Sequence, residues 1–392
     1  MELMNPVSRR TFMQGLAAAL SYSKIPASEL LSYTQQQPPQ PQPAADDVEK
    51  TVEEEYDELA KLANNENPYG PSQAVLKAME GAFKYANRYG YPDGGIVGEI
   101  ADFHQVSTEN ILLGAGSGEI LKVCDDAFLA QHRLIVGPDP TYESVYVYAT
   151  NSKADAIKVP LTDDHRTDIP GMIRAVKNNY RDVGFVYVCN PNNPTGQIVP
   201  KQEIKQLLDS MPSDVPVLID EAYHHYVDNP DYAESIPYVR EGRNVIIART
   251  FSKIAGLAGM RLGYAVAPKE LIDKMRLVAN GSINVLVKYA GLAALKDQDH
   301  ETLIRKRNAE SRKKTMAELK AYGYEVIPSE ANFFMVDIGE DVDTAGFAFL
   351  DKGILVGRKF PSMDGWLRVS VGTEDEMSRF VTAFKEIFPS IK

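Results

Sequence analysis

Val183-Gly184-Phe185-Val186-Tyr187-Val188-Cys189 runs without a charge into Asn190-Pro191-Asn192-Asn193-Pro194-Thr195-Gly196. A strand with one wet face alternates apolar and polar residues. A strand covered on both faces does not, so this run predicts a central strand of a parallel sheet. Two X-Pro steps and a glycine then make a stiff loop at its C-terminal end. Open α/β sheets place ligands at that end. Residues 110–113, 134–136, 215–219 and 244–248 are further short apolar runs, separated by segments of helical character. The expected body is α/β, with a largely parallel sheet flanked by helices.

The run at 244–248 delivers Arg249-Thr250-Phe251-Ser252-Lys253-Ile254-Ala255-Gly256-Leu257-Ala258-Gly259-Met260-Arg261-Leu262-Gly263. A lysine walled in near other cations loses its proton and becomes a nucleophile for aldehydes. Ser252 and Arg261 are suited to holding a phosphate beside it, and the glycines allow close backbone approach. Two readings fit this stretch alone: a lysine that carries pyridoxal phosphate, and a surface lysine in a glycine-rich loop.

The other strand tips discriminate between them. Gly114-Ala115-Gly116-Ser117-Gly118-Glu119-Ile120 follows the run at 110–113 and opens a helix. Free N–H groups and the helix dipole there make an anion site. The turn lacks the Lys-Ser/Thr ending of a P-loop and the spacing of the dinucleotide fingerprint. Asp220 and Tyr223 follow the run at 215–219. Pyridoxal phosphate needs a carboxylate that keeps its ring nitrogen protonated, for which Asp220 is suited. Its ring oxygen needs donors, for which Tyr223 and Asn193 are suited. Its phosphate needs N–H groups and a cation, found at Ser117, Gly118, Ser252 and Arg261. Tyr142 suits the ring face, and equally suits ordinary packing.

Past Leu271 the pattern changes. Residues 274–320 are charged and helical, with a turn at Asn280-Gly281-Ser282. Short strands are expected at 325–327, 333–336, 354–356 and 367–371, and helices at 343–350 and 374–387. This is a smaller α+β domain. Arg368 lies in an apolar strand beside Trp366, which favours an inward role. The expected division is a signal-like segment (1–30), a Pro/Gln-rich and acidic linker (31–55), an arm with part of the small domain (56–85), a large domain (86–278) and a small C-terminal domain (279–392).

The 392 residues, 44% hydrophobic, suffice for two cores. With 54 acidic against 42 basic residues the net charge is −12, and no basic block points to nucleic acid. No apolar run is long enough to span a bilayer. Cys124 and Cys189 sit in apolar surroundings and read as buried thiols. His224 and His225 are neighbours expected to point in different directions, so packing is expected there and no metal site. Near the start, Ser8-Arg9-Arg10-Thr11-Phe12-Met13 precedes the apolar run Gly15-Leu16-Ala17-Ala18-Ala19-Leu20. This order fits a twin-arginine export signal and a periplasmic destination. An amphipathic N-terminal helix of a cytoplasmic protein is the alternative. The proline/glutamine tract at 35–43 reads as a tether.

Seven stretches occur in one family's order. They are Asn65-Glu66-Asn67-Pro68-Tyr69-Gly70, Tyr91-Pro92-Asp93, Gly116-Ser117-Gly118-Glu119, Asn192-Asn193-Pro194-Thr195-Gly196, Asp220-Glu221-Ala222-Tyr223, Ser252-Lys253 with Arg261, and Trp366-Leu367-Arg368-Val369-Ser370-Val371-Gly372. From about Asn64 onward the chain resembles class I/II aminotransferases of fold type I, and among them the histidinol-phosphate aminotransferases. The resemblance implies a seven-stranded, mostly parallel sheet and pyridoxal 5'-phosphate as cofactor. It implies that Lys253 forms the Schiff base and shuttles the proton, that Asp220 pairs with the ring nitrogen, and that Tyr223 and Asn193 hold the ring oxygen. Tyr142 would stack on the ring. Ser117, Gly118, Ser252 and Arg261 would hold the phosphate, joined by Tyr91 of a neighbouring subunit in a homodimer. Arg368 would clamp the substrate α-carboxylate, with Asn67, Tyr69 and Arg358 at the substrate side. For Tyr69, bracing its loop is an equal alternative.

Two departures stand out. The family's phosphate turn usually has an acid where this chain has Gly118, a change that leaves the backbone donor in place. In histidinol-phosphate enzymes the second substrate arginine follows the valine of Ile354-Leu355-Val356, whereas here Gly357 stands between that valine and Arg358. The expected activity is therefore transamination between an amino acid, or a histidinol-phosphate-like amine, and a 2-oxo acid. A lyase, decarboxylase or racemase on the same frame and a non-catalytic exported binding protein are the alternatives. The export reading predicts that fractionated cells hold the wild type, but not Arg9→Lys/Arg10→Lys, in the periplasm. Equal periplasmic signal from both would rule it out.

Overall fold

The computed structural model describes residues 50–129, 133–151 and 154–391. The arginine pair and the proline/glutamine tract lie outside the described residues. Among those described, the strands are β1 (Ala60–Leu62), β2 (Ile111–Gly114), β3 (Leu134–Asp139), β4 (Asp155–Pro160), β5 (Val183–Cys189), β6 (Val217–Asp220), β7 (Val245–Thr250), β8 (Gly263–Val266), β9 (Phe333–Asp337), β10 (Ile354–Val356) and β11 (Trp366–Ser370). Seven of them form one sheet in the order β2-β8-β7-β6-β5-β3-β4. Neighbours pair in parallel except at β8, which is antiparallel to β7 and β2.

β5 is buried at every position, and so are β6 and β7. Successive side chains serve opposite faces. Val186 and Val188 join one core with the helices Ile169–Asn179, Lys201–Ser210 and Val285–Lys296. Phe185, Tyr187 and Cys189 join the other with Ser117–Phe128, Ser144–Asn151 and Lys269–Arg276. Each fully buried Val or Ile contributes about 1.5–3 kcal/mol, so covering both faces is what allows a sheet without alternation. Both cysteines are free and buried.

The smaller body has a third core, containing Leu62, Phe334, Phe349, Leu367, Phe380 and Phe384. There β1 pairs in parallel with β10, and β9 is antiparallel to β11. The helix Gln298–Tyr322 joins the two bodies: Ile304 packs with Tyr223 and Phe333, and Leu319 with the small core. Among the described residues, no helix is long and apolar enough to cross a membrane.

Several local expectations change. Residues 325–327 form only a bridge, Val326 to Val336. Beyond the expected turn, which spans 277–284, the helical stretch 274–320 breaks again at Asp297, whose carboxylate caps the next helix by accepting from the His300 N–H at 3.1 Å. Val287 and Ala290, beyond the expected boundary at 278, belong to the core of the large sheet. His224 and His225 do not diverge. The tight turn His224–Tyr226 brings their rings to 3.6 Å, between Glu234 and Glu301. Burial holds both imidazoles below their ordinary range.

β6 and β7 are also tied through charge. Arg249 donates from Nε and Nη2 to Glu221 Oε2 at 3.1 and 2.7 Å, and from Nη2 to Glu234 Oε2 at 2.9 Å. Glu221 Oε1 accepts the Ser235 N–H at 2.7 Å. Arg249 and Glu221 are 1% and 0% exposed, so neither charge has water to fall back on. Losing one partner of such a pair costs about 3–5 kcal/mol.

Candidate active site

β7 ends at Thr250, and the chain turns at once. The Thr250 hydroxyl donates to Ser252 Oγ at 2.9 Å and accepts the Ser252 N–H at 3.1 Å. This turn raises Lys253 above the C-terminal edge of the sheet. Lys253 is half-buried, and its Nζ donates to the Asn64 carbonyl at 3.2 Å. It lies 5.5 Å from the centre of the Tyr223 ring. Dehydration lowers its pKa to about 8, with Arg368 and Arg261 pushing the same way against Glu66 and Asp220.

Asp220 ends β6 next door, 3% exposed. Tyr187 Oη donates to its Oδ2 at 3.3 Å and the Ala222 N–H to its Oδ1 at 3.2 Å. Burial raises its pKa to about 6, against these donors and Lys253. A cation at this carboxylate would bring it down again.

The glycine-rich turn after β2 meets the lysine stretch from the other side. Ser117 begins a helix, and first-turn N–H groups have no partner within the helix. Arg261 reaches the same turn, donating from Nη1 to Ser252 Oγ at 3.1 Å and from Nη2 to the Ala115 carbonyl at 3.3 Å. Gly116 has φ +83°, and a Cβ there would lie 2.2 Å from Arg261 Nη2. A Cβ at Gly263 would lie 2.5 Å from the Ser117 nitrogen. Close approach thus requires glycine at both positions. One helix N-terminus, one hydroxyl and one guanidinium converge on one spot, which is the composition of an oxyanion site.

The small body closes the other side. Arg368 on β11 donates from Nη1 to Asn193 Oδ1 at 2.8 Å and from Nη2 to the Ala63 carbonyl at 2.6 Å. Its Nε is buried with no hydrogen-bond partner among the described residues. Burial lowers its pKa to about 10. Asn193 Nδ2 in turn donates to Tyr223 Oη at 3.3 Å. Burial pushes the Tyr223 phenol up.

Lys253, Tyr223, Asn193 and Arg368 are therefore linked by direct contacts or charge, Asp220 acts on Lys253 through charge, and Ser252 and Arg261 meet the turn that opens the helix at Ser117 and Gly118. Other expected residues lie differently. Tyr142 is 36% exposed, on a loop tied down by Thr141, whose hydroxyl donates to Asn192 Oδ1 at 2.8 Å. Tyr91 is 82% exposed on the surface of the large body. Asn67 spends its amide on the Ile254 carbonyl at 2.8 Å, and its Oδ1 accepts the Tyr69 N–H at 3.0 Å. Tyr69 lies under the Arg307 guanidinium at 4.8 Å. Both brace their loop. Arg358 pairs with Glu143 at 2.6 Å.

Three contributors had no role assigned in the sequence. Asn65 donates to Tyr223 Oη at 3.1 Å and accepts from Ser370 Oγ at 2.9 Å, with φ +55°. Tyr187 holds Asp220. Ala63 supplies a carbonyl to Arg368. A tyrosine inside an apolar strand is a signal for a buried hydrogen bond, and an asparagine among turn formers is a signal for left-handed backbone. Nothing local marks Ala63.

A model of the family described as Aminotransferase class I and II matches residues 57–384, and the chain belongs to that family. It is 39% identical over 350 residues to a histidinol-phosphate aminotransferase of Moorella thermoacetica, covering 86% of this chain and 89% of that one. It is 36% identical to one from Brevibacillus brevis, covering 89% and 95%. A solved structure of histidinol-phosphate aminotransferase from Sinorhizobium meliloti, in complex with pyridoxal-5'-phosphate, superposes with a TM-score of 0.78 at 26% identity. That match covers 85% of this chain and 92% of that one. The chain is a pyridoxal-phosphate-dependent aminotransferase.

A lowered lysine pKa means that free amine appears at lower pH. In cofactor-free protein, labelling of Lys253 by an amine-selective reagent should rise through about pH 8. An ordinary lysine titrates near about 10.4. Peptide mapping by mass spectrometry across pH would show this, and a midpoint near that ordinary value would contradict it.

Proposed function

We propose that Lys253 carries the cofactor, and that the chain moves an amino group between an amino acid and a 2-oxo acid in two half-reactions. One observation carries this: a half-buried lysine with a depressed pKa stands between a buried carboxylate and an oxyanion cradle, with a buried arginine opposite. The residues present fit pyridoxal phosphate. The cradle has no room for a Cβ at Gly116 or Gly263, Asp220 is a buried acid near Lys253 whose hydrogen bonds come from Tyr187 and the Ala222 N–H, and Arg368 Nε has no hydrogen-bond partner among the described residues.

When bound, pyridoxal phosphate supplies an aldehyde that captures the amine and a protonated ring that draws electrons from the substrate Cα. The protein's part follows from charge and reach. Ser117 and Gly118 N–H groups, Ser252 Oγ and Arg261 bind the phosphate. Asp220 keeps a proton on the ring nitrogen, and Tyr187 orients Asp220. Tyr223 Oη and Asn193 Nδ2 donate to the ring oxygen, with Asn65 holding Tyr223. Tyr142 covers the ring. Arg368 binds the substrate carboxylate, and its bond to Asn193 couples that event to the ring oxygen. Lys253 Nζ would take the proton from the substrate Cα and deliver it to the cofactor's aldehyde carbon, on the other side of the amino nitrogen. The small body, which carries Arg368, excludes water from this transfer.

The relatives' name makes histidinol phosphate one candidate amine. The Gly357-Arg358 spacing favours an ordinary amino acid. The export reading rests on Arg9-Arg10 and the apolar run after them.

We also infer a homodimer in which Tyr91 reaches the partner's phosphate site. Its support is the exposure of Phe83, Tyr89 and Tyr91 on one segment, at 61%, 103% and 82%. Sedimentation should give a dimer, and Tyr91→Ala should keep the dimer while losing cofactor faster on dilution. A monomeric active enzyme would refute this. Lys253→Ala should lose the visible absorbance of lysine-bound cofactor and at least about 10³-fold in turnover, since the variant lacks both nucleophile and proton carrier. Retention of both absorbance and turnover would overturn the assignment.

A further inference from the structure

We propose that Glu143 sets the charge preference of the substrate site. By occupying Arg358, it makes the site select an amino donor with an uncharged side chain over one that ends in a carboxylate or phosphate. The proposal rests on the aminotransferase reading above.

Its origin is a steric conflict at the end of β10. The Gly357 N–H donates to the Arg368 carbonyl at 2.9 Å. A Cβ at 357 would lie 2.6 Å from that oxygen and 3.0 Å from Arg368 Cβ. No side chain fits there while Arg368 keeps its place, so the next cation enters one residue later, on Arg358. From that position it does not stand free. Arg358 Nη2 meets Glu143 Oε1 at 2.6 Å, and Nη1 donates to the Lys359 carbonyl at 3.0 Å.

The pair lies beside the substrate clamp. The Arg358 guanidinium is 4.3 Å from the centre of the Phe360 ring, and that of Arg368 is 5.2 Å from the same ring. Both guanidiniums thus lie over the same ring. Glu143 follows Tyr142 on the loop after β3. That loop is anchored to Asn192 through Thr141 and to the small body through Ser362 Oγ, which donates to Asp139 Oδ2 at 2.7 Å. Glu143 therefore leaves from a segment tethered at Asp139 and Thr141, and its carboxylate is held by Arg358. Lys359 offers no substitute cation, because it pairs with Asp341 at 2.9 Å and Asp364 at 3.1 Å.

The electrostatics follow. Arg368 is committed to the α-carboxylate. A second anion on the substrate must displace Glu143 from Arg358 and then sit near the displaced carboxylate, which opposes it. An uncharged side chain leaves the pair intact. The pair is partly exposed, at 22% and 46%, so removing the carboxylate leaves the fold standing.

The test uses holoenzyme and the donor half-reaction alone, so the acceptor does not enter. Rapid mixing gives second-order rate constants for matched donors that share an α-carboxylate, glutamine against glutamate and serine against O-phosphoserine. Wild type should favour the uncharged member of each pair. Glu143→Gln should move the ratio toward the anionic member by about tenfold or more, and Arg358→Ala should move it further toward the uncharged one. A Glu143→Gln ratio within about twofold of wild type would overturn the proposal, as would wild type favouring the anionic members. Equal slowing of both members would mark Glu143 as merely structural and overturn it too. Wild type inert toward every donor would instead refute the aminotransferase reading.

Discussion

The buried pair between Arg249 and Glu221 sets the geometry on which the site depends. Glu221 follows Asp220, at the tip of β6. Arg249 stands on β7, four residues before Lys253. Backbone pairing registers the two strands, but hydrogen bonds along a ladder are alike at every step. The ion pair is not. Its two nitrogens reach one carboxylate, and a slip of one residue would leave two charges buried without partners. Asp220 and Lys253 thereby inherit a fixed spacing from a pair that touches neither of them.

Around that fixed pair the site is assembled from four loops and an arm. Each loop alone is ordinary. Their convergence changes the chemistry, because dehydration and neighbouring cations move Lys253 toward free amine while burial holds Asp220 high. The two shifts are complementary. A lysine that gives up its proton and an acid in need of a cation are the two halves of a site for a protonated ring bearing an aldehyde. The chain Arg368–Asn193–Tyr223–Asn65–Ser370 then joins the small body, the large sheet and the arm in one run of hydrogen bonds. Arg368 and Tyr223 are thereby linked through Asn193.

Legibility in the sequence followed the locality of the cause. β5, β6 and β7 were readable because burial on both faces leaves an unbroken apolar run. β1 was not, since its three residues form a strand only against β10, nearly the whole folded chain away. β4 was not, because it is an edge strand with mostly exposed side chains. The divergence expected of His224 and His225 failed for a related reason: a tight turn between Glu234 and Glu301 left their rings one place to go. Lys253, Asp220 and the glycine-rich turn stood out because each lies at a strand tip with a chemistry of its own. Ala63 contributes only a carbonyl, and a carbonyl carries no side-chain signature.

By itself the sequence determined the parallel sheet and the cofactor class, since apolar runs, turn glycines and reactive side chains act over a few residues. Only the tertiary structure decided what those residues face. It showed Asn67 and Tyr69 bracing a loop, and Arg358 paired with Glu143, 215 positions away in sequence. The physical reason is that an arginine's role is set by the nearest carboxylate in space. Here that carboxylate comes from the loop after β3, and Arg358 meets it one residue past a glycine with no room for a side chain.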